Sequence, residues 1–218
     1  MAKVGVLLSG CGVQDGAEIH EAVLTLLAIH EMGAEAVCMA PNAQQRKVVN
    51  HLTGEEMDEL RNVLVEAARI ARGEIRDAAE VKAEDLDALI LPGGFGAALN
   101  MSDFALAGAE MKVRADVERV IRDVHQAGKP IGALCIAPAL IAKLIPGVKL
   151  TIGTDTNTAH ALEQMGARHE SCEVTGVVVD EENRVVSTPA YMLGPGINEV
   201  WQGIRACVRE VLNRIRNT

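Results

Sequence analysis

The feature that most constrains the fold of this chain is the segment 130–142, Pro-Ile-Gly-Ala-Leu-Cys-Ile-Ala-Pro-Ala-Leu-Ile-Ala, where an apolar strand pattern passes directly into a helix pattern. A cysteine, Cys135, stands at the junction. In α/β folds a sharp strand-to-helix turn pushes a nucleophile out above the sheet edge. The crowded backbone of such a turn requires small residues two positions to either side, where this chain has Ala133 and Ala137. The pattern therefore predicts a nucleophile elbow.

Two interpretations of Cys135 follow from the spacing alone. The N-terminus of a helix favours the thiolate, so a cysteine at an elbow is expected to have a depressed pKa and to attack carbonyl groups. Free cysteine is also among the most buried residue types, and Cys135 fits that packing role equally well.

Apolar runs alternate with helical patterns along the rest of the chain. Residues 3–9 and 88–91 are nearly continuous apolar runs, typical of strands buried on both faces of a parallel sheet. Residues 177–180 and 184–188 predict a β-hairpin, and residues 196–216 predict a closing helix. The alternation predicts an α/β protein built as a doubly wound sandwich.

The first helix is predicted over residues 19–32. Its apolar side is expected to consist of Ile19, Val23, Leu26, Leu27 and Ile29. Residues 42–82 interrupt the alternation and lack an apolar core, so they predict an insertion with a long helix over 55–72 and a short strand at 73–75. A further strand is predicted at 150–152. The whole chain, residues 1–218, is expected to form a single domain.

Charge and apolar patterning exclude several kinds of partner. The formal net charge is -9 and no stretch concentrates basic residues, so a nucleic acid is not an expected partner. The first residues lack a signal-peptide pattern, and no apolar run reaches the length of a membrane span. The sequence therefore predicts a cytoplasmic protein with no membrane partner.

The cysteines are Cys11, Cys38, Cys135, Cys172 and Cys207. An odd number without a C-x-x-C pair predicts free thiols in a reducing compartment and no metal site. Cys11 follows the first predicted strand and could lie at the same sheet edge as Cys135, where it could contact a substrate.

Glycine-bearing turns follow two predicted strands, at residues 9–12 and 92–96. Because glycine lets backbone amides approach a ligand closely, Gly93 or Gly94 together with Ile136 are candidates for an oxyanion hole. Tight turns alone explain these glycines equally well.

A dinucleotide cofactor is not expected, although glycines cluster after the first strand. Gly10 and Gly12 have the spacing of the fingerprint, but Gly16 lies one residue too far along the chain. No other cofactor is predicted.

Acidic residues crowd the predicted start of the first helix: Asp15, Glu18 and Glu21. Acids are favoured near a helix N-terminus, so capping explains most of them. Glu18 and Glu21 lie on one helix face, and either could reach Cys135. A glutamate partly buried beside a thiol has a raised pKa and can exchange protons with it. His20 and His160 are candidate bases, although a lone histidine is more often structural.

Several longer motifs are spread along the chain: residues 8–12 (Leu-Ser-Gly-Cys-Gly), 15–21 (Asp-Gly-Ala-Glu-Ile-His-Glu), 50–54 (Asn-His-Leu-Thr-Gly), 61–64 (Arg-Asn-Val-Leu), 72–75 (Arg-Gly-Glu-Ile), 91–97 (Leu-Pro-Gly-Gly-Phe-Gly-Ala), 135–139 (Cys-Ile-Ala-Pro-Ala), 150–155 (Leu-Thr-Ile-Gly-Thr-Asp) and 187–191 (Ser-Thr-Pro-Ala-Tyr). Together they resemble the PfpI-type branch of the class I glutamine-amidotransferase-like superfamily. The resemblance covers nearly the whole chain.

This resemblance implies a flavodoxin-like, three-layer sandwich that is usually a homodimer. It implies Cys135 as the nucleophile and Glu21 as the glutamate hydrogen-bonded to it, with Glu18 as the second choice. The implied activity is a lyase reaction of the glyoxalase III type on small dicarbonyls, which converts glyoxal to glycolate without glutathione and can reflect deglycation of early glycation adducts. The chemistry is consistent, because a thiolate adds to an aldehyde and an adjacent acid can move the proton that the internal redox shift requires.

The chain departs from the pattern of its relatives at two positions. Many relatives have a histidine after the strand that follows the elbow helix, and the matching residue here is Gly153. The residue after the nucleophile, often histidine in protease-like relatives, is Ile136. No Cys–His pair can be assigned, which argues against peptidase and amidotransferase functions. Asp155 or His160 could partly substitute.

A second hypothesis belongs to a different class of function. It is a non-catalytic redox or stress sensor that uses Cys135 as its switch, with the insertion and the helix bearing Trp201 as contact surfaces. A link to isoprenoid metabolism comes only from the name of the family that the chain resembles, and no residue pattern predicts a prenyl pocket.

Overall fold

The structure is a computed structural model that describes residues 1–216. Its strands are β1 (Lys3–Leu7), β2 (Glu35–Ala40), β3 (Val48–Val49), β4 (Glu56–Met57), β5 (Arg76–Asp77), β6 (Ala88–Leu91), β7 (Ile131–Leu134), β8 (Lys149–Leu150), β9 (Arg168–His169), β10 (Val178–Asp180) and β11 (Val185–Thr188). Its α-helices are α1 (Ile19–Glu31), α2 (Val63–Ile70), α3 (Phe95–Leu99), α4 (Phe104–Ala107), α5 (Ala115–Gln126), α6 (Pro138–Leu144), α7 (Thr156–Gln164) and α8 (Ile197–Arg216).

Within residues 1–216, seven strands form one sheet in the order β10-β11-β7-β6-β1-β2-β5. Neighbouring strands are parallel, except that β10 and β11 form the predicted antiparallel hairpin. The chain runs outward to β2 on one side of β1 and to β6 and β7 on the other. The strand order therefore reverses between β1 and β6, and ligands of such sheets bind outside the carboxyl ends of the strands at that point.

Helices cover both faces of this sheet. Successive side chains of a strand point to opposite faces. In β6, Leu89 and Leu91 join one hydrophobic cluster, with residues of α5 and α6, whereas Ala88 and Ile90 join another, with residues of α1 and α8. The structure thus confirms the predicted fold class, a flavodoxin-like, doubly wound parallel sheet in a three-layer sandwich.

The predicted long helix over residues 55–72 is wrong. The chain first forms the β3–β4 hairpin, and α2 begins only after Asn62, whose side chain accepts the N–H of Val65 as an N-cap. The strand expected at 73–75 is displaced to β5, which pairs with β2 at the sheet edge. Turn and capping signals thus override the helical periodicity. The single domain with an insertion at about residues 42–82 stays a prediction.

The strand predicted at 150–152 is also shifted, because β8 ends at Leu150. It pairs with β9 in a separate two-stranded sheet rather than with the central sheet. The residues after β8 are therefore a buried loop that approaches the carboxyl end of β11, where the Thr151 N–H donates to Oγ of Ser187 at 2.9 Å.

Helix α1 has nearly the predicted bounds, but its predicted apolar side is partly wrong. Ile19, Val23 and Leu27 are 41%, 47% and 49% exposed. The face toward the core consists of Glu21, Ala22, Thr25, Ala28 and Ile29. Small side chains on that face let the helix lie close to the sheet. Ile19, Val23 and Leu27 therefore form an exposed row, which we call the α1 stripe.

Two kinds of feature are absent from residues 1–216. No helix in this range combines the length and the apolar character needed to cross a membrane. The same range contains no group of three or more histidine, cysteine, aspartate or glutamate side chains placed to hold a metal ion.

Candidate active site

Cys135 stands between β7 and α6, at the predicted elbow. Its φ is +58°, in the left-handed region that L-residues other than glycine rarely adopt. Holding a non-glycine residue there costs about 1–2 kcal/mol, and such strain clusters at functional sites. The Cys135 N–H donates to the carbonyl of Thr188 at 3.1 Å, which ties the elbow to the end of β11. The residue is 8% exposed.

Glu21 lies in the first turn of α1 with no exposed surface. Its Oε2 accepts the N–H of Gly93 at 2.8 Å, and its Oε1 accepts the N–H of Tyr191 at 3.1 Å. It also forms a hydrogen bond with the thiol of Cys135. The carboxyl is therefore held from three sides, by the turn after β6, by the segment after β11 and by the elbow.

Glu18, the alternative proton carrier, is the N-cap of α1. Its Oε2 accepts the N–H of Glu21 at 2.6 Å. It lines the same cavity as Cys135. The carboxyl bonded to the thiol is that of Glu21, and Glu18 fixes the helix turn that carries it.

Burial governs the protonation of the Glu21 carboxyl and the Cys135 thiol. It raises the pKa of the Glu21 carboxyl to about 7. Burial, followed by the charge of Glu21, raises the pKa of the Cys135 thiol well above its usual value. Hydrogen bonds from the amides of Gly94 and Ile136 oppose that rise. The expectation of a depressed thiol pKa is therefore wrong, because desolvation and a neighbouring carboxylate outweigh the amides of the turn.

The three candidate oxyanion-hole amides have different partners. That of Gly93 is engaged by Glu21. Those of Gly94 and Ile136 donate to the sulfur of Cys135. An oxyanion formed at a carbon bound to this sulfur would lie close to the latter two amides, so the oxyanion-hole assignment rests on Gly94 and Ile136.

Cys135 lines a cavity of about 340 Å³. Most of the wall is apolar, and its apolar side chains are Val13, Phe95, Ala98, Phe104, Ala105, Ile136 and Met192. The polar side chains on the wall are Glu18, Thr158 and Tyr191. A small uncharged carbonyl compound suits such a wall, because no cationic side chain of the described residues lines it to bind a charged acid.

The other predicted substrate-contacting residues lie outside this cavity. Cys11 is half-buried near Glu66 and Arg69, and burial raises the pKa of its thiol. Asp155 caps α7, where its Oδ1 accepts the N–H of Thr158 at 2.7 Å. His160, on the same helix, is exposed. None of the three lines the cavity wall.

The space beside Gly153 is filled by another residue. Its φ is +98°, and a Cβ built there would lie 2.7 Å from Cγ of Leu193. A histidine at this position would therefore need both a strained backbone and the displacement of Leu193.

Tyr191 is a site residue that the sequence argument did not identify. Its hydroxyl lies 2.8 Å from Nδ1 of His20, one of the candidate bases, and the two rings are tilted with centroids 5.7 Å apart. Tyr191 is the last residue of the motif 187–191, and that motif was the only sequence signal that could have identified it. Sequence spacing alone could not place it beside Glu21, from which it is 170 residues distant.

The chain is similar to known proteins over most of its length. The chain matches the model of the DJ-1/PfpI family over residues 11–192. A human protein named glutamine amidotransferase-like class 1 domain-containing protein 3, mitochondrial, is 48% identical over 221 residues, which cover 97% of this chain and 82% of the human protein.

Solved structures give the same result. A crystal structure from Ehrlichia chaffeensis, described as an isoprenoid biosynthesis protein with amidotransferase-like domain, has 38% identity and a TM-score of 0.93, covering 98% of this chain and 99% of that chain. Glyoxalase III from Candida albicans has 16% identity and a TM-score of 0.60, covering 99% and 96%, and shares the fold alone. The predicted superfamily is confirmed, and this chain belongs to the DJ-1/PfpI family.

Proposed function

We propose that this protein is a glutathione-independent glyoxalase, a glyoxalase III-like lyase that converts glyoxal to glycolate in the manner of the bacterial glyoxalase ElbB. The observation that carries the proposal is the hydrogen bond between the thiol of Cys135 and the buried carboxyl of Glu21 at the wall of an apolar cavity. A nucleophile paired with a proton carrier whose pKa lies near neutrality is an arrangement that suits covalent catalysis on carbonyls.

The first step is addition of the thiol to one aldehyde group. The Cys135 sulfur bonds to the carbonyl carbon while the S–H bond breaks, and the thiol proton passes through Glu21 to the carbonyl oxygen. With its pKa raised to about 7, Glu21 is a suitable carrier at neutral pH. The amides of Gly94 and Ile136 stabilise the oxygen as it gains charge. The product is a hemithioacetal.

The second step is an internal redox shift. The hydrogen on the sulfur-bearing carbon leaves as a proton to Glu21, and a proton returns to the neighbouring carbon. The first carbon is oxidised to a thioester while the second is reduced to an alcohol, so no external oxidant is needed. Water then hydrolyses the thioester, releases glycolate and restores the thiol.

The names of similar proteins give general support to a reaction on carbonyl compounds, but they do not specify the substrate. The Candida albicans structure is named glyoxalase III, although it shares the fold alone. The Ehrlichia chaffeensis structure has isoprenoid biosynthesis in its name, so that link stays a proposal for this chain. The cytoplasmic location also stays a prediction, because the human relative is named mitochondrial.

The test is loss of glyoxal consumption in Cys135→Ala with the fold retained. A matched control is Cys172→Ala, since Cys172 is another free cysteine but does not line the cavity. We expect consumption to fall to the uncatalysed background in the first variant and to stay at the wild-type rate in the second. A Cys135→Ala variant that keeps the wild-type rate and unfolding midpoint would contradict the proposal.

The redox-sensor hypothesis is less well supported. Peroxide oxidises the thiolate, and burial beside Glu21 raises the pKa of the Cys135 thiol. Mild peroxide treatment followed by intact-mass measurement separates the two functions. Rapid sulfinate formation with negligible glyoxal turnover would favour the sensor.

A further inference from the structure

The redox shift needs a proton donor at the second oxygen of the substrate, away from the sulfur. Glu21 faces the thiol and accepts the amides of Gly93 and Tyr191, so it serves the sulfur and the adjacent carbon. The donor must therefore be another polar side chain of the cavity wall. Among the described residues these are Glu18, Thr158 and Tyr191.

Two of these three side chains are already engaged. Glu18 accepts the N–H of Glu21 as a helix cap. The hydroxyl of Thr158 is hydrogen-bonded to the carboxylate of Asp155. Tyr191 differs, because its hydroxyl can accept a hydrogen bond from Nδ1 of His20 and still donate its own proton to a ligand. It is thus the remaining hydroxyl that can serve a ligand.

The geometry around Tyr191 connects the cavity to solvent. Its backbone N–H donates a hydrogen bond to Glu21. The preceding residue, Ala190, adopts a left-handed φ of +45° at this turn. Its hydroxyl meets Nδ1 of His20 at 2.8 Å. His20 is exposed, although it precedes the fully buried Glu21 in the same helix turn. The consecutive residues His20 and Glu21 of α1 therefore contact the hydroxyl and the backbone N–H of Tyr191, respectively.

We propose that Tyr191 and His20 form a proton relay, in which the Tyr191 hydroxyl protonates the second oxygen of an α-oxoaldehyde bound to Cys135 and His20 resupplies that proton from solvent. Tyr191 is then a catalytic residue. His20 is a positioning residue, which orients the Tyr191 hydroxyl and returns its proton. A neutral imidazole can carry the proton on either nitrogen, so it can donate from Nδ1 to the phenol and be reprotonated at its exposed side. The inference rests on the proposed function.

The protons balance over the redox shift. Glu21 removes the proton from the sulfur-bearing carbon, the electron pair forms a carbon–carbon double bond, and Tyr191 gives its proton to the second oxygen. The resulting enediol then receives the proton of Glu21 on the second carbon. Its first hydroxyl gives its proton to solvent, which leaves the hydroxyacyl thioester, and His20 returns one proton from solvent to the Tyr191 phenolate. The relay thus gives one proton and recovers one.

The test compares Tyr191→Phe and His20→Gln with the control His30→Gln, an exposed histidine at the other end of α1. Phenylalanine keeps the ring and the backbone N–H on Glu21, and glutamine keeps a hydrogen-bonding group but carries no exchangeable charge. We expect kcat/KM for glyoxal to fall about 10²-fold in Tyr191→Phe and about tenfold in His20→Gln. His30→Gln should stay at the wild-type value.

Two further readouts separate a relay from a structural role. Alkylation of Cys135 by iodoacetamide needs no proton at a second oxygen, so its rate should be unchanged in Tyr191→Phe. The ratio of kcat in light and heavy water should change in His20→Gln but not in His30→Gln. Wild-type turnover in Tyr191→Phe, or identical behaviour of the two histidine variants, would overturn the relay.

A measurement without turnover distinguishes failure of the relay from failure of the glyoxalase function. If the wild-type protein consumes no glyoxal, the proposed function fails. The relay is then decided by the ¹⁵N resonances of His20 as glyoxal is added. A shift in the wild-type protein that is lost in Tyr191→Phe supports coupling through the phenol, and unchanged resonances in both overturn it.

Discussion

The backbone amide of Gly93 donates a 2.8 Å hydrogen bond to Oε2 of Glu21, so the turn after β6 fixes the carboxyl of α1. The same glycine lies against the elbow. A Cβ built on Gly93 would stand 2.9 Å from both Sγ of Cys135 and Oε2 of Glu21. Gly93 is thus the spacer that sets how closely the thiol and the carboxyl approach.

Gly93→Ala is expected to separate the reacting pair. The new methyl group would lie 2.5 Å from Cβ of Cys135, and overpacking of this kind costs about 1–3 kcal/mol. We expect at least a tenfold loss of glyoxal consumption together with that loss of unfolding free energy, measured by denaturant titration. The control is Gly196→Ala, whose Cβ would meet only the mobile end of Glu199. Equal activity in the two variants would show that Gly93 is not a spacer.

Glu21→Gln is expected to change two rates in opposite directions. The charge of Glu21 raises the pKa of the Cys135 thiol, so removing it should move the midpoint of iodoacetamide alkylation to lower pH. Glyoxal consumption should nevertheless fall about 10²-fold, because an amide cannot carry the proton. Glu31→Gln, on the exposed end of α1, is the control. A fall in both rates would contradict the assigned base.

Glu21 should also make stability depend on pH. Its pKa is raised from 4.5 to about 7 in the folded chain, so the native state holds this proton more tightly than the unfolded state. The stabilisation is fully present below pH 4.5 and is lost as the pH rises through about 7. The loss is about 3 kcal/mol. Denaturant titrations across this range should show the decline in the wild-type protein and not in Glu21→Gln.

The α1 stripe offers a test of the homodimer that the family resemblance implies. Ile19, Val23 and Leu27 are apolar, exposed and aligned, as in helices that pack on a second surface. If the stripe is the dimer contact, Val23→Asp should give a monomer in light scattering, whereas Val23→Ile should stay dimeric. A Val23→Asp protein that remains dimeric places the contact elsewhere.

Sequence patterns within a single segment correctly predicted the elements that depend on short-range interactions. The apolar run of β7, the small residues around Cys135 and the proline of α6 act within one segment, and the elbow formed where they indicated. The core-facing side of α1 could not be predicted this way. Hydrophobic periodicity identifies an apolar side of a helix, but it does not show which side packs against the sheet. The small residues Ala22 and Ala28 let that helix approach the sheet, but alanine contributes little to a hydrophobic sequence pattern.

The electrostatics of the site depend on contacts between distant parts of the chain. A helix N-terminus suggested an acidic thiol, but burial of the sulfur and the charge of Glu21 decide the direction of the pKa shift. The family resemblance selected Glu21, whereas the residues alone left Glu18 equally open. Tyr191 was missed because its place follows from where β11 ends in the sheet, a property of the topology and not of any motif.

The bond between Glu21 and the N–H of Tyr191 joins residues 170 positions apart. During synthesis the ribosome releases α1 long before it has made Tyr191, so the growing chain carries its cysteine without a fully anchored base. Only after β11 has docked is the carboxyl held at both oxygens. Assembly of the reactive pair is therefore one of the last events in the maturation of the polypeptide.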